Sequence, residues 1–394
     1  MCMRTRRNTS TLITAFAAIL VFVRATAGIA GPPEFTPGEV WNDQEGKPIN
    51  AHGGGILFHH GIYYWYGEFK TGKTYLPDCN KSWGGTRVDV AGVSCYSSKD
   101  LVDWKNEGLV LPALPDDPES DLHPSKVIER PKVIYNQTTK QFVMWMHIDV
   151  ASYAAAHAGV AVSDQPAGPF KYLGSFRPDA GVWPANVTDP DKITSATNVL
   201  ARDFEKGQMA RDLTLFQDDD GKAYLFYSSE ENPTMHVSLL TDDYLRPAGK
   251  YARVFIGRSM EAPAVFKRAG KYYFIGSGCT AWAPNAARCA VADNIFGPWT
   301  ELGNPCEGTT AGTTFDSQGT FVLPVQGRSD LLIFMADRWK QWNLPDSRYV
   351  WLPIEFAKNG KPVLRWRQRW TFNAVTGDNE ALASGTKSNP ERTR

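Results

Sequence analysis

Two glutamates hold matching places in this chain. Glu129 lies four residues before Val133 and Glu261 four before Val265, each at the head of a short apolar run. The same count back from Val322 reaches Gln318, Arg211 and Asp212 fall within a residue of the equivalent place in a third run, and His52 stands beside Gly53, Gly54 and Gly55 in a fourth. Glu68, His147, Glu230, Asp337 and Arg338 close the apolar runs that follow. Ionisable groups at the ends of apolar segments are costly unless they pair or meet a polar ligand, so one shared site accounts for them better than several separate accidents. Opposed carboxylates across a narrow cavity suit glycosidic cleavage, in which a protonated acid serves the leaving oxygen and the other side activates water. Tyr66, Tyr153, Trp282 and Trp339 are available to stack on sugar rings. For any single aromatic, core packing is the commoner fate.

The elements that must position these groups form a repeat. Five segments share one order of apolar strand, polar turn and aromatic or aliphatic strand: GGGILFHHGIYYWYGE from Gly53, RPKVIYNQTTKQFVMWMH from Arg130, DLTLFQDDDGKAYLFYSS from Asp212, EAPAVFKRAGKYYFIGSG from Glu261 and GTFVLPVQGRSDLLIFMAD from Gly319. Each reads as a hairpin with Gly, Asn or Asp at its turn. A third strand follows each, as in VSCYSS, AGVAVSD, MHVSLL, RCAVAD and YVWLPIEF, and usually a weaker fourth. Four antiparallel strands repeated five times predict an all-β, five-bladed β-propeller over residues 31–375. The starts of first strands and the ends of second strands then form one ring of neighbours on one face. The loops from Lys70 to Gly92 and from Pro178 to Ala210 rim that face, with Trp83 and Trp183 as candidate wall residues.

With 394 residues, Lys+Arg 42 against Asp+Glu 42, and 42% hydrophobic residues, the chain is globular and has no general attraction to nucleic acid or an anionic membrane. Arg4, Arg6 and Arg7 precede the apolar run from Leu12 to Val23, which ends in small residues, so residues 1–30 are expected to be a signal peptide and the protein secreted or periplasmic. Residues 376–394 are a polar tail. Removal of the leader leaves Cys79, Cys95, Cys279, Cys289 and Cys306, an odd number. Cys279 with Cys289 and Cys79 with Cys95 are candidate pairs whose connectivity spacing leaves open. Asn136 and Asn186 head glycosylation sequons. Asp218-Asp219-Asp220-Gly221 resembles the opening of a calcium loop but reads as a hairpin turn, and no metal site is expected at His59-His60.

In order along the chain, NAHGGGILF, YYWYGEFK, VSCYSSKDLVDW, VIERPKVIYN, VMWMH, ARDLTLFQDDDG, MEAPAVF, WAPN, FDSQGTF and DSRYVWLPIEF resemble glycoside hydrolase family 43, and within it the exo-β-1,3-galactanase branch. The resemblance implies an inverting hydrolase that releases galactose from the non-reducing ends of β-1,3-galactan, the backbone of type II arabinogalactan. It requires no cofactor, although a channel-bound ion such as calcium is compatible. It assigns Glu261 as general acid, Asp212 as the carboxylate that orients and tunes it, and Glu68 as the galactose-selecting glutamate, with Arg130 beside the sugar. His52, Tyr153, Trp282, Asp316 and Arg338 complete the expected substrate contacts. The aspartate that most of the family places in the first blade is missing here, where the strand reads Ala51-His52-Gly53-Gly54. The base is therefore Glu129, or Gln318 holding the water. Two rival readings remain: an arabinofuranosidase or galactofuranosidase on the same scaffold, and a propeller that binds glycan without cleaving it.

Overall fold

The computed structural model describes residue 1, residues 34–75 and residues 87–372. The leader, the tail, Cys79 and Trp83 lie outside them.

Four sheets have four strands each in simple sequential order: His52–His59, Ile62–Tyr75, Arg87–Ser98 and Lys105–Pro112; Val127–Asn136, Gln141–Asp149, His157–Ser163 and Lys171–Phe176; Leu213–Gln217, Ala223–Ser229, Thr234–Leu240 and Pro247–Val254; and Met260–Arg268, Lys271–Gly278, Arg288–Ala292 and Thr300–Gly303. A fifth sheet has three strands, Gln318–Pro324, Leu332–Arg338 and Arg348–Pro353. The expected count of five blades is corrected by a further three-stranded sheet, in which Cys306–Glu307 pairs in parallel with Pro362–Arg365 and that strand pairs with Glu355–Phe356. The all-β propeller arrangement thus holds six sheets of three or four strands, not five. The expected strand YVWLPIEF divides between the fifth and sixth sheets, Arg348–Pro353 belonging to the fifth and Glu355–Phe356 to the sixth. The sixth sheet joins Cys306–Glu307 to a hairpin about fifty residues later whose strands, Glu355–Phe356 and Pro362–Arg365, are only two and four residues long, so no repeat announces it.

The cores lie between sheets. Val133, Met144 and Tyr66 pack between the first and second, Trp145, Leu213 and Tyr227 between the second and third, and Phe226, Val265 and Phe274 between the third and fourth. Phe266, Ile275 and Phe334 fill the space between the fourth and fifth, with Cys306 and Leu364 of the sixth. The seam of the fifth sheet with the first is aromatic, built on Trp65, Trp104, Tyr349 and Trp351. Glu34–Phe35 pairs with Trp370–Thr371 beside that seam, and Phe35 stacks on Trp370 at 4.2 Å.

Register makes the ring of chemistry. His52 is paired with Glu68, Glu129 with His147, Glu261 with Ser277 and Gln318 with Asp337, each at the same end of its hairpin. The ladder slips just inside that end, between His52 and Gly55, Glu129 and Lys132, Glu261 and Ala264, and Gly319 and Phe321. Such bulges re-aim side chains at the rim of a sheet. Arg130 (φ 56°) and Ala262 (φ 53°) adopt the left-handed region there, which costs a non-glycine residue about 1–3 kcal/mol. In the first sheet the same place is Gly53 (φ 59°), where a Cβ would stand 2.2 Å from Glu68 Oε1. That run is glycine because Glu68 and Lys132 need its space: a Cβ on Gly55 would meet Lys132 Cδ at 2.8 Å.

Candidate active site

The ring encloses a cavity of about 310 Å³. Glu261 enters from the fourth sheet, and its Oε1 accepts from Asn232 Nδ2 at 3.0 Å. Asp212 lies beside it, with Oδ2 accepting from the Ala262 N–H at 3.0 Å and paired with Arg130 Nη2 at 3.0 Å. Burial and the charge of Asp212 push the Glu261 carboxyl up to about 8, so it is protonated at neutral pH.

Glu129, the counterpart in the second sheet, has the opposite fate. Its Oε1 accepts from the Tyr153 hydroxyl at 2.7 Å, and its Oε2 lies 3.2 Å from His147 Nδ1. Burial works against ionisation here too, but the hydrogen bond from His147 and the charge of Lys70 outweigh it and hold Glu129 down at about 2. His147 is held between two carboxylates, its Nε2 lying 3.0 Å from Asp149 Oδ2. Burial lowers the imidazole, but Asp149 and Glu129 dominate and raise it to about 9, so it is a cation. Asp149 is fixed in turn by the backbone N–H groups of Val150, Ala155 and Ala156 at 2.8–3.0 Å.

Glu68 is buried, accepting from the Arg130 N–H at 2.9 Å and paired with Lys70 Nζ at 2.6 Å. Gln318 is oriented by chemistry alone: Arg130 Nη2 at 2.6 Å and Trp339 Nε1 at 3.0 Å can only donate, so both mark its oxygen, and its Nε2 donates to Ser277 Oγ at 3.0 Å. Arg130 therefore ties the second, third and fifth sheets together. Below it the Lys132 ammonium donates to Gly53 O at 2.8 Å and reaches Thr320 Oγ1 at 3.4 Å, and burial lowers it to about 7. Trp282 and Trp339 meet edge to face at 5.5 Å on the cavity wall.

Glu129, His147 and Asp212 each offer a ligand atom within 4.8 Å of the others. In this structure His147 is engaged at both ring nitrogens, Nδ1 by Glu129 and Nε2 by Asp149.

The profile of glycosyl hydrolases family 43 matches residues 75–362. The chain belongs to glycosyl hydrolases family 43. Among solved structures, this family 43 hydrolase is similar to a family 43 β-1,3-galactosidase determined with galactodeoxynojirimycin, at 44% identity and a TM-score of 0.79 over 86% of this chain and 100% of that one. It is also similar to an exo-β-1,3-galactanase from Clostridium thermocellum, at 37% identity and a TM-score of 0.71 over 86% of this chain and 66% of that one. An exo-β-1,3-galactanase from Phanerochaete chrysosporium with β-1,3-galactotriose shares 32% identity and a TM-score of 0.70 over 88% and 69% of the two chains. No curated protein sequence matches the chain.

Of the residues expected at the site of this hydrolase, Glu261, Asp212, Glu129, Gln318, Glu68, Arg130, Tyr153 and Trp282 line the main cavity. Asp316 and Arg338 line instead a smaller cavity of about 130 Å³ that shares Trp282, Gln318 and Trp339 with it. His52 lies behind the wall, fully buried, with Nδ1 3.1 Å from Asp337 and its ring stacked on Tyr349 at 5.2 Å. Tyr66 is buried packing whose hydroxyl donates to Pro166 O, and Trp183 stacks on Phe204. Glu230 is taken up by His236 and Arg253. Cys95, Cys279, Cys289 and Cys306 are free, so Cys279 and Cys289 are not bridged, and the candidate pair of Cys79 with Cys95 falls partly outside the described residues. The Asn136 amide is buried, donating to Asp242 O, and is closed to a glycan as folded.

Sequence reasoning passed over Asn232, Glu231, Ser277, Cys279 and Asp149. Glu231 and Asn232 come one and two residues past the ring position Glu230, where three successive residues take positive φ. Extending the count beyond the strand end would have reached them. Cys279 lines the cavity together with Glu261, and no feature of its sequence surroundings marks that place.

Proposed function

We propose that the protein is a secreted, inverting exo-β-1,3-galactanase that removes galactose from the non-reducing ends of β-1,3-galactan, including the backbone of type II arabinogalactan. One observation carries the reading: a single cavity of sugar size holds Glu261, raised to about 8, and Glu129, lowered to about 2. Two carboxylates with pKa values pushed apart are the acid and base of glycoside hydrolysis. Glu129 takes a proton from water as the water attacks the anomeric carbon. The carbon–oxygen bond to the leaving sugar breaks, Glu261 protonates that oxygen, and galactose leaves with inverted configuration. Gln318 serves this step by position. Its oxygen already accepts two hydrogen bonds, which disfavours the imidic form a glutamine would need as base, and its amide nitrogen keeps one hydrogen to aim at water or substrate. The galactan-acting solved relatives support the substrate, and the basic-then-apolar leader supports secretion.

Proton NMR during incubation with linear β-1,3-galactan tests the reading, with α-galactose expected as the first anomer. Release of arabinose or galactofuranose from their glycosides, and none from galactan, would move the enzyme to a sister specificity. No release from any of them would make it a binding propeller. Azide added to Glu129→Ala should restore turnover and yield α-galactosyl azide; rescue of Gln318→Ala instead would transfer the role of base.

A further inference from the structure

A second basin of about 530 Å³ adjoins the main cavity, and Tyr153, Arg211 and Glu231 line both. The remaining charged wall is Arg177, Arg202, Asp203 and Lys206, all four on the connection between the second and third sheets. Four cations face two carboxylates there, a local surplus of two positive charges in a chain whose formal net charge is zero.

The carboxylates fix the guanidinium groups without cancelling them. Asp203 accepts Arg202 Nε and Nη2 in a fork, both at 2.8 Å, and lies 3.6 Å from Arg177 Nη1. Glu231 bridges Arg202 at 3.2 Å and Arg211 at 3.1 Å. Arg177 is pinned further by the carbonyls of Ala154 and Ala155. Arg202 nevertheless remains 43% exposed, and Lys206 stands exposed at the basin wall. Guanidinium groups already held in place lose little freedom when an anion arrives, and they match planar or tetrahedral oxyanions in geometry.

We propose that this basin is a subsite for an anionic sugar group, a uronate or a sulfate ester, carried as a branch on the galactose in the main cavity. The inference rests on the galactanase reading and names the substrate class within it: acidic branched galactan. In β-1,3-galactan the backbone uses C1 and C3 of each ring, and the exocyclic C6 hydroxyl is the branch point that reaches farthest from it. A branch leaving there can lie across the shared wall of Tyr153, Arg211 and Glu231 with its anion toward Arg202 and Lys206.

The test compares β-1,3-galactotriose carrying on its terminal galactose a 6-linked glucuronic acid, the methyl ester of that acid, or a 6-sulfate, with linear galactotriose as control. The wild type should favour the free acid or the sulfate over the ester by about tenfold in kcat/KM, through KM, and 0.5 M salt should shrink the gap because the attraction is electrostatic. Lys206→Glu and Arg202→Gln should each remove the preference and leave linear galactotriose within about twofold. Which anion gains more assigns uronate or sulfate. Equal handling of acid, sulfate and ester by the wild type overturns the proposal, as does a variant that loses all branched substrates alike. Calorimetry with the disaccharide of glucuronic acid 6-linked to galactose, its ester and Glu261→Gln enzyme separates this proposal from the reading beneath it. Lys206-dependent preference for the acid without galactan cleavage keeps the basin and discards the galactanase. Galactan cleavage with equal binding of acid and ester does the reverse.

Discussion

The inner strands of the second and fourth sheets have nearly the same backbone and give their glutamates opposite properties. Glu129 and Glu261 each precede a residue with φ near 55° and a slip in the ladder, and each faces the same cavity. Across the hairpin, however, Glu129 meets His147 and Glu261 meets Ser277. The first pairing supplies a cation backed by Asp149, while the second supplies none and leaves the charge of Asp212 to outweigh that of Arg130. Position in a repeat therefore sets where a carboxylate points, and the neighbouring hairpin residue sets whether it holds a proton.

The sharpest way to break the comparison is Glu261→Gln, which keeps the shape and removes the proton. Galactose release should fall about 10³–10⁴-fold, within the range of general acid catalysis, while galactotriose binding measured by calorimetry stays near wild type; retained turnover would take the acid role from Glu261. Glu129→Gln should cost about 10²–10³-fold in kcat at neutral pH, and a loss confined to KM would make Glu129 a binding group only.

Asp149→Asn is a subtler probe, because Asp149 acts through His147 and does not line the cavity. Without it His147 loses charge, the Glu129 carboxyl rises toward the ordinary value near 4.3, and the acid limb of kcat/KM should move up into the range of pH 4–5 with about tenfold loss at pH 5. The basic limb, set by Glu261, should stay near 8. A structural role alone would lower activity equally across pH.

The smallest effects are in stability. The folded pKa of Glu261 lies above that of an unfolded glutamate, so the unfolded chain releases this proton first and stability is lost as pH rises from about 4 toward 8. Glu261→Gln should therefore raise Tm by a few degrees at pH 8 and little at pH 4. The folded pKa of Glu129 is depressed to about 2, so its contribution is present above about 4 and is lost as pH falls toward 2. Glu129→Gln should lower Tm at neutral pH, and its deficit should close in acid. Melting curves of the two variants with the same trend would contradict the opposed protonation states.

The hairpins were legible because their information is contiguous: alternating apolar residues, a turn, and a strand of the same length returning. Counting from Val133 and Val265 reached Glu129 and Glu261 for that reason. The sixth sheet was not legible, since Cys306–Glu307 and Pro362–Arg365 are short and far apart and become strands only when the chain brings them side by side. His52 was misplaced by one layer. It sits at the expected strand start, but the Gly53 bulge and Asp337 turn it behind the cavity wall. Asp316 and Arg338 fell in the neighbouring cavity because the ring count gives an end of a strand and no radius.

Residue order thus specified the β repeat, the family resemblance and the two opposed carboxylates. The division of labour between those carboxylates came from folding, because a pKa responds to charge and burial within a few ångströms. Lys70 reaches Glu129 from the first sheet, Arg130 reaches Asp212 of the third, and Asp212 reaches Glu261 of the fourth. Those distances exist only once the sheets have packed around a common axis.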